Sequence, residues 1–207
     1  MAVKRFYETF HPEHYDLFID VNRADKTISG TSTITGEAQD DIIFINQKYM
    51  KISAVRADGK DVDFTVDDKD EAIKIDLGRT GETTIAIDYS APLTDSMMGI
   101  YPSYYELNGE KKQIIGTQFE TTFARQAFPC VDEPEAKATF TLSLKWDEKP
   151  GEIALGNMPE TSIENGVHHF EETVRMSTYL VAFAFGELQS KITETKGGIK
   201  VGVFATK

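Results

Sequence analysis

The stretch ATFTLSLKW places Phe140, Leu142, Leu144 and Trp146 at every second position, with Thr and Ser between them. A two-residue repeat puts all four apolar side chains on one face of an extended chain, which a helix cannot do. EAIKIDL repeats the pattern through Ile73, Ile75 and Leu77, and TTIAIDY through Ile85, Ile87 and Tyr89. Between such runs stand Asp58-Gly59, Asn108-Gly109 and Asn165-Gly166, dipeptides that tolerate the positive φ angles of a tight hairpin. No stretch sustains a helical period, apart from a short turn expected around Ala124 to Ala127. The expectation is an all-β chain, a sandwich or saddle of antiparallel sheets.

The chain has 207 residues, 40% of them hydrophobic, which is enough for a sizeable core. No Pro-, Gly- or Ser-rich linker interrupts it and no long period repeats, so residues 1–207 read as one domain. Its 34 acidic residues outnumber 22 basic ones, a net charge of -12 that repels phosphate backbones and anionic lipid. Nucleic acid is not expected as a partner. The stretch MAVKRFYETFHPEHYDLFIDV lacks the apolar run of a signal peptide, and no segment approaches the ~20 apolar residues of a membrane span. A lone cysteine, Cys130, allows no internal disulfide, which agrees with a cytoplasmic location. The last segment, GGIKVGVFATK, reads as a strand that stops without a closing turn, as if a longer protein continued beyond it.

Chemistry concentrates in GTQFETTFARQAFPC, residues 116–130. If the strand runs through QIIGTQFET, then Ile115, Thr117, Phe119 and Thr121 share one face, and Gly116, Gln118 and Glu120 the other. Spacing leaves two readings open. Gln118 and Glu120 are an ordinary polar strand face in water, or they grip an ammonium group through a carboxylate and an amide oxygen. Arg125 and Asp132 bracket QAFPCV and are expected to close a loop as a structural ion pair, with Cys130 as a small buried hydrophobe. Of the histidines, His11 and His14 have an H-x-x-H spacing, but Pro12 disfavours a helix there, and the adjacent His168 and His169 point to opposite faces of a strand. No metal site is expected in this chain, and H-E-x-x-H, G-x-S-x-G and phosphate-cradling glycine loops are all absent from the sequence.

TQFETTFARQAFPCVDEPEAKATFTLSL resembles the signature of the N-terminal domain of the aminopeptidase N family, zinc metallo-aminopeptidases of the gluzincin class. The resemblance begins at HPEHYDLFIDV, passes through TISGTSTITG and TIAIDYSAPLTDSMMGIYPSYY, and reaches GNMPE and FEETVRMSTYLVAFAFGEL. It implies a β-saddle that covers a thermolysin-like catalytic domain carrying a G-A-M-E-N motif and an H-E-x-x-H zinc site. Neither motif occurs in these residues. Zinc would therefore belong to the full-length enzyme and be bound outside this chain, and the fragment alone is expected to be inactive. By the same resemblance, Glu120 binds the α-ammonium of a peptide substrate and Gln118 lines the pocket for its first side chain. An ammonium held at a fixed distance from the metal would present only the first peptide bond.

Two departures bear on the carry-over. Relatives often read Gly-Phe-Tyr-Arg-Ser where Gly99-Ile100-Tyr101-Pro102-Ser103 stands here, so a role tied to that arginine is not carried over by the resemblance. An epoxide-hydrolysing branch tends to show Gln-x-Gln, so Glu120 favours a plain aminopeptidase of the alanyl type. The alternative is a non-catalytic β-sandwich that serves as a binding or scaffold module.

Overall fold

The computed structural model describes residues 5–207; residues 1–4, the start of the stretch read above for a signal peptide, lie outside it. An eight-stranded sheet runs, edge to edge, through Glu160–Glu164, Val167–Phe170, Thr139–Trp146, Phe10–Asn22, Thr27–Ala38, Gly81–Pro92, Lys51–Ala57 and Lys60–Asp61. A four-stranded sheet orders Ile153–Gly156, Phe183–Gly186, Glu110–Gln118 and Gly99–Leu107. Ile42–Asn46, Ala72–Asp76 and Phe64–Asp67 make a three-stranded sheet. The fold is all-β and dominated by antiparallel pairs, as the two-residue repeats predict.

The repeats also identify the buried face. Phe140, Leu142, Leu144 and Trp146 are all buried, while the Thr and Ser between them are only half-buried. Tyr15 stacks on Phe140 with ring centroids 4.8 Å apart, and Trp146 stacks on Phe185 at 4.5 Å, which joins the large sheet to the four-stranded one. Burying one such aromatic side chain contributes about 1.5–3 kcal/mol relative to leaving it in water.

All three dipeptides turn hairpins with both residues at positive φ, for example 53° at Asn108 and 81° at Gly109. Those angles match the right-handed twist of the flanking strands. The short turn near Ala124 is a 3-10 turn over Ala124–Gln126.

Two local expectations are corrected. Phe10–Asn22 pairs antiparallel with Thr27–Ala38 but parallel with Thr139–Trp146, because the second neighbour arrives by a long crossover rather than a hairpin. The strand expected to run through Thr121 ends at Gln118. Phe119 then enters the core and Thr121 is exposed, so the face alternation stops there. The expected C-terminal strand, Lys200–Ala205, pairs with Gln189–Glu194 in a two-stranded ribbon that is exposed along its whole length.

Candidate substrate-anchoring site

Gln118 closes its strand opposite Gly99, the first residue of the neighbouring one. Gly99 has a φ of 74°, and a Cβ there would stand 3.1 Å from Thr94 Cγ2 and 3.2 Å from Gln126 Oε1. The positive φ favours glycine opposite Gln118, and a side chain there would press on Thr94 and Gln126. Phe119 follows, 1% exposed and edge-on to Phe128 at 5.9 Å. It anchors the backbone between two exposed polar residues, Gln118 and Glu120. The Glu120 backbone N–H donates to Gln118 Oε1 at 3.4 Å, and the Glu120–Thr121 peptide bond is cis. Among the described residues no hydrogen bond or ion pair reaches the Glu120 carboxylate.

Behind this edge the chain is tied down by charge. The Arg125 backbone N–H and Nε donate to Asp132 Oδ2 at 3.3 and 3.0 Å, Nη2 to the Asp132 carbonyl at 3.2 Å, and Nη1 to Glu71 Oε2 at 3.1 Å. Asp132 Oδ1 accepts from the Thr178 hydroxyl at 2.7 Å, and the Asp132 N–H donates to Asn46 Oδ1 at 2.9 Å. Asp132 is 2% exposed, and the Arg125 and Thr178 donors take the place of the water its carboxylate has lost. Lys48 Nζ lies 2.5 Å from Glu71. Burial pushes the Glu71 carboxyl up, but Lys48 and Arg125 outweigh it and hold the group below the usual carboxylate range. Burial pushes the Cys130 thiol well up, with Asp132 adding to the effect, in agreement with an inert buried cysteine.

The structure thus brings Arg125 and Asp132 together as a structural pair, and places Gln118 and Glu120 next to each other on the exposed edge. Sequence reasoning missed Asn46, Glu71 and Thr178. No local signal could have found them, since 86, 54 and 46 residues separate them from the groups they bind.

On the sheet face that carries Gln118, two residues back along the strand, Gly116, Tyr101, Leu155 and Ala184 border a shallow open hollow of about 300 Å³.

The histidines are engaged elsewhere. His14 Nδ1 is 2.8 Å from Thr139 Oγ1, and His169 Nδ1 is 2.9 Å from Ser143 Oγ. His168 Nδ1 is 2.7 Å from Glu160 with its ring against Trp146, and His11 stacks on Tyr7. Among the described residues no group of three or more His, Cys, Asp or Glu side chains could hold a metal ion, and no helix is long and apolar enough to cross a membrane.

Comparison with known proteins gives a consistent result. Residues 11–180 match the family model described as the peptidase M1 N-terminal domain. Aminopeptidase N of Lactobacillus helveticus is 73% identical over 208 residues, which cover 100% of this chain and 25% of that protein. Aminopeptidase N of Lactobacillus delbrueckii subsp. lactis is 68% identical over 207 residues, again 100% of this chain and 25% of the relative. Endoplasmic reticulum aminopeptidase 1 of Mus musculus is 35% identical over 221 residues, 97% of this chain and 24% of the relative. The chain therefore spans about a quarter of the length of these relatives.

Proposed function

The chain belongs to the peptidase M1 N-terminal domain family, and from that premise we propose that it is the substrate-anchoring part of a zinc-dependent aminopeptidase that removes N-terminal residues from peptides. Glu120 receives the free α-ammonium of the peptide and Gln118 borders the space for its first side chain. The observation that carries this reading is the state of Glu120. Its carboxylate is exposed and has no hydrogen-bond or ion-pair partner among the described residues, yet it follows the buried Phe119 and precedes the Arg125–Asp132 ionic frame. An unpaired carboxylate carried next to an anchored residue is suited to a cationic ligand.

The residues described here do not compose a zinc ligand set, so the metal belongs to the remainder of the protein in this proposal. What this chain contributes is position. An ammonium fixed at Glu120 sets how far the peptide reaches toward groups carried elsewhere, and an internal segment of a polypeptide offers no ammonium. The partner surface for that remainder is the outer face of the four-stranded sheet, where half-buried Tyr101, Ile114 and Leu155 share a side with Gln118. One structural unit over residues 1–207 and a cytoplasmic location are part of the same reading.

The test is made in the full-length protein. Glu120→Ala should lower kcat/KM for peptides with a free amino terminus by roughly 10- to 100-fold, the range of a charge-assisted hydrogen bond. Bound zinc should not change. Kinetics equal to those of the parent would remove Glu120 from the site and leave the scaffold reading.

A further inference from the structure

The strand that ends at Gln118 begins beside a different feature. Around Lys111 and Lys112, a hollow of about 510 Å³ opens between Tyr104, the 149–152 loop and Glu187. Six residues separate Lys112 from Gln118, roughly 20 Å along an extended strand, so the two places are distinct.

The floor of the hollow is charged, and each of its carboxylates is paired with a cation. Arg23, its side chain 4% exposed, donates from Nη1 to Glu152 Oε1 and from Nε to Asp147 Oδ1, both at 2.7 Å. Glu152 Oε2 also accepts from the Trp146 indole and the Lys149 backbone N–H, each at 3.0 Å. Lys112 Nζ lies 3.0 Å from Glu110 and 3.4 Å from Glu187, and Lys207 Nζ lies 2.9 Å from Glu187. Both lining carboxylates are thus already engaged by cations.

The remaining charge on the wall is positive. Lys111 Nζ stands 4.2 Å from the centroid of the Tyr104 ring, a contact that orients the ammonium without neutralising it. Among the described residues no carboxylate pairs with the ammonium of Lys111 or of Lys149. In a chain with 34 acidic and 22 basic residues, two ammoniums without a carboxylate beside one hollow are a local reversal of sign.

We propose that this hollow binds a small polyanion carrying at least two carboxylate or phosphate groups, one directed to Lys111 and one to Lys149. The volume lies in the range of small-molecule sites, which favours a compact ligand over a protein surface. The overall charge of -12 repels anions at long range, so a ligand must engage both ammoniums at short range to be held.

The test is calorimetric titration of the full-length protein with pyrophosphate and, separately, with citrate, at low ionic strength. At least one anion should bind saturably, and the tighter one identifies the headgroup as phosphate or carboxylate. Lys111→Ala/Lys149→Ala should weaken that binding by about fivefold to thirtyfold, from two exposed charge pairs. Each single variant should fall between, and an exposed lysine elsewhere, Lys60→Ala, should have no effect. Anion binding at a catalytic centre would be common to all variants, so only the difference between them counts. Peptide turnover of the double variant should equal that of the parent, and Glu120→Ala should keep the anion affinity, which separates this proposal from the preceding one. Binding that is equal in parent and double variant, or no binding of either anion to the parent, overturns it.

Discussion

Asp132 and Glu120 are carboxylates on one stretch of chain, and they are treated in opposite ways. Asp132 is buried and accepts from the Arg125 backbone and side chain and from Thr178; Glu120 is exposed, and its carboxylate accepts from nothing among the described residues. Removing the first would leave Arg125 with less of its compensation in a setting where water cannot replace it. Removing the second would leave only solvent. The difference separates a group that holds a loop from a group the loop presents.

The most severe way to break this contrast is Asp132→Ala, which should lower the unfolding free energy by about 3–5 kcal/mol, the cost of stripping one partner from a buried pair. Chemical denaturation measures it, and a loss below about 1 kcal/mol would mean the network is not a frame. Thr178→Val removes one donor and keeps the volume. It should cost about 1–3 kcal/mol by leaving Asp132 Oδ1 unsatisfied.

Glu71→Gln sharpens the comparison through pH. The folded pKa of Glu71 is depressed because Lys48 and Arg125 outweigh its burial, so its contribution is fully present above the unfolded value of ~4.3 and is lost as pH falls through the lower folded value. The stability gap between parent and variant, about 1 kcal/mol or less for a partly exposed pair, should close on acidification. A gap that widened in acid would reverse the assignment. Smallest of all, Glu120→Ala should change stability by no more than about 0.5 kcal/mol while activity falls. A large stability loss there would make Glu120 part of the frame.

Much of this organisation is legible in the residues, and the exceptions have physical reasons. Strands and their inward faces follow from alternation, and the hairpins from two-residue loops whose left-handed φ only a few residue types accept. The Arg125–Asp132 pair is legible because seven residues and one short turn separate its members. Alternation says which side of a strand is buried but not which strand lies beside it, so the parallel neighbour of Phe10–Asn22 was hidden. The strand end at Gln118 was hidden too, because TQFET continues to alternate in polarity after the backbone has turned. Spacing could not separate a wet polar face from an ammonium grip at Gln118 and Glu120; the resemblance to a family supplied that reading.

The parallel seam between Phe10–Asn22 and Thr139–Trp146 has a consequence for assembly. His14 bonds Thr139, 125 positions further along the chain, so during synthesis Phe10–Asn22, the longest strand among the described residues, waits with one ribbon edge bare until the Thr139–Trp146 strand has emerged. Nascent chains that stall before residue 139 should be the ones that cling to chaperones, and release should follow once the Thr139–Trp146 strand is free of the ribosome.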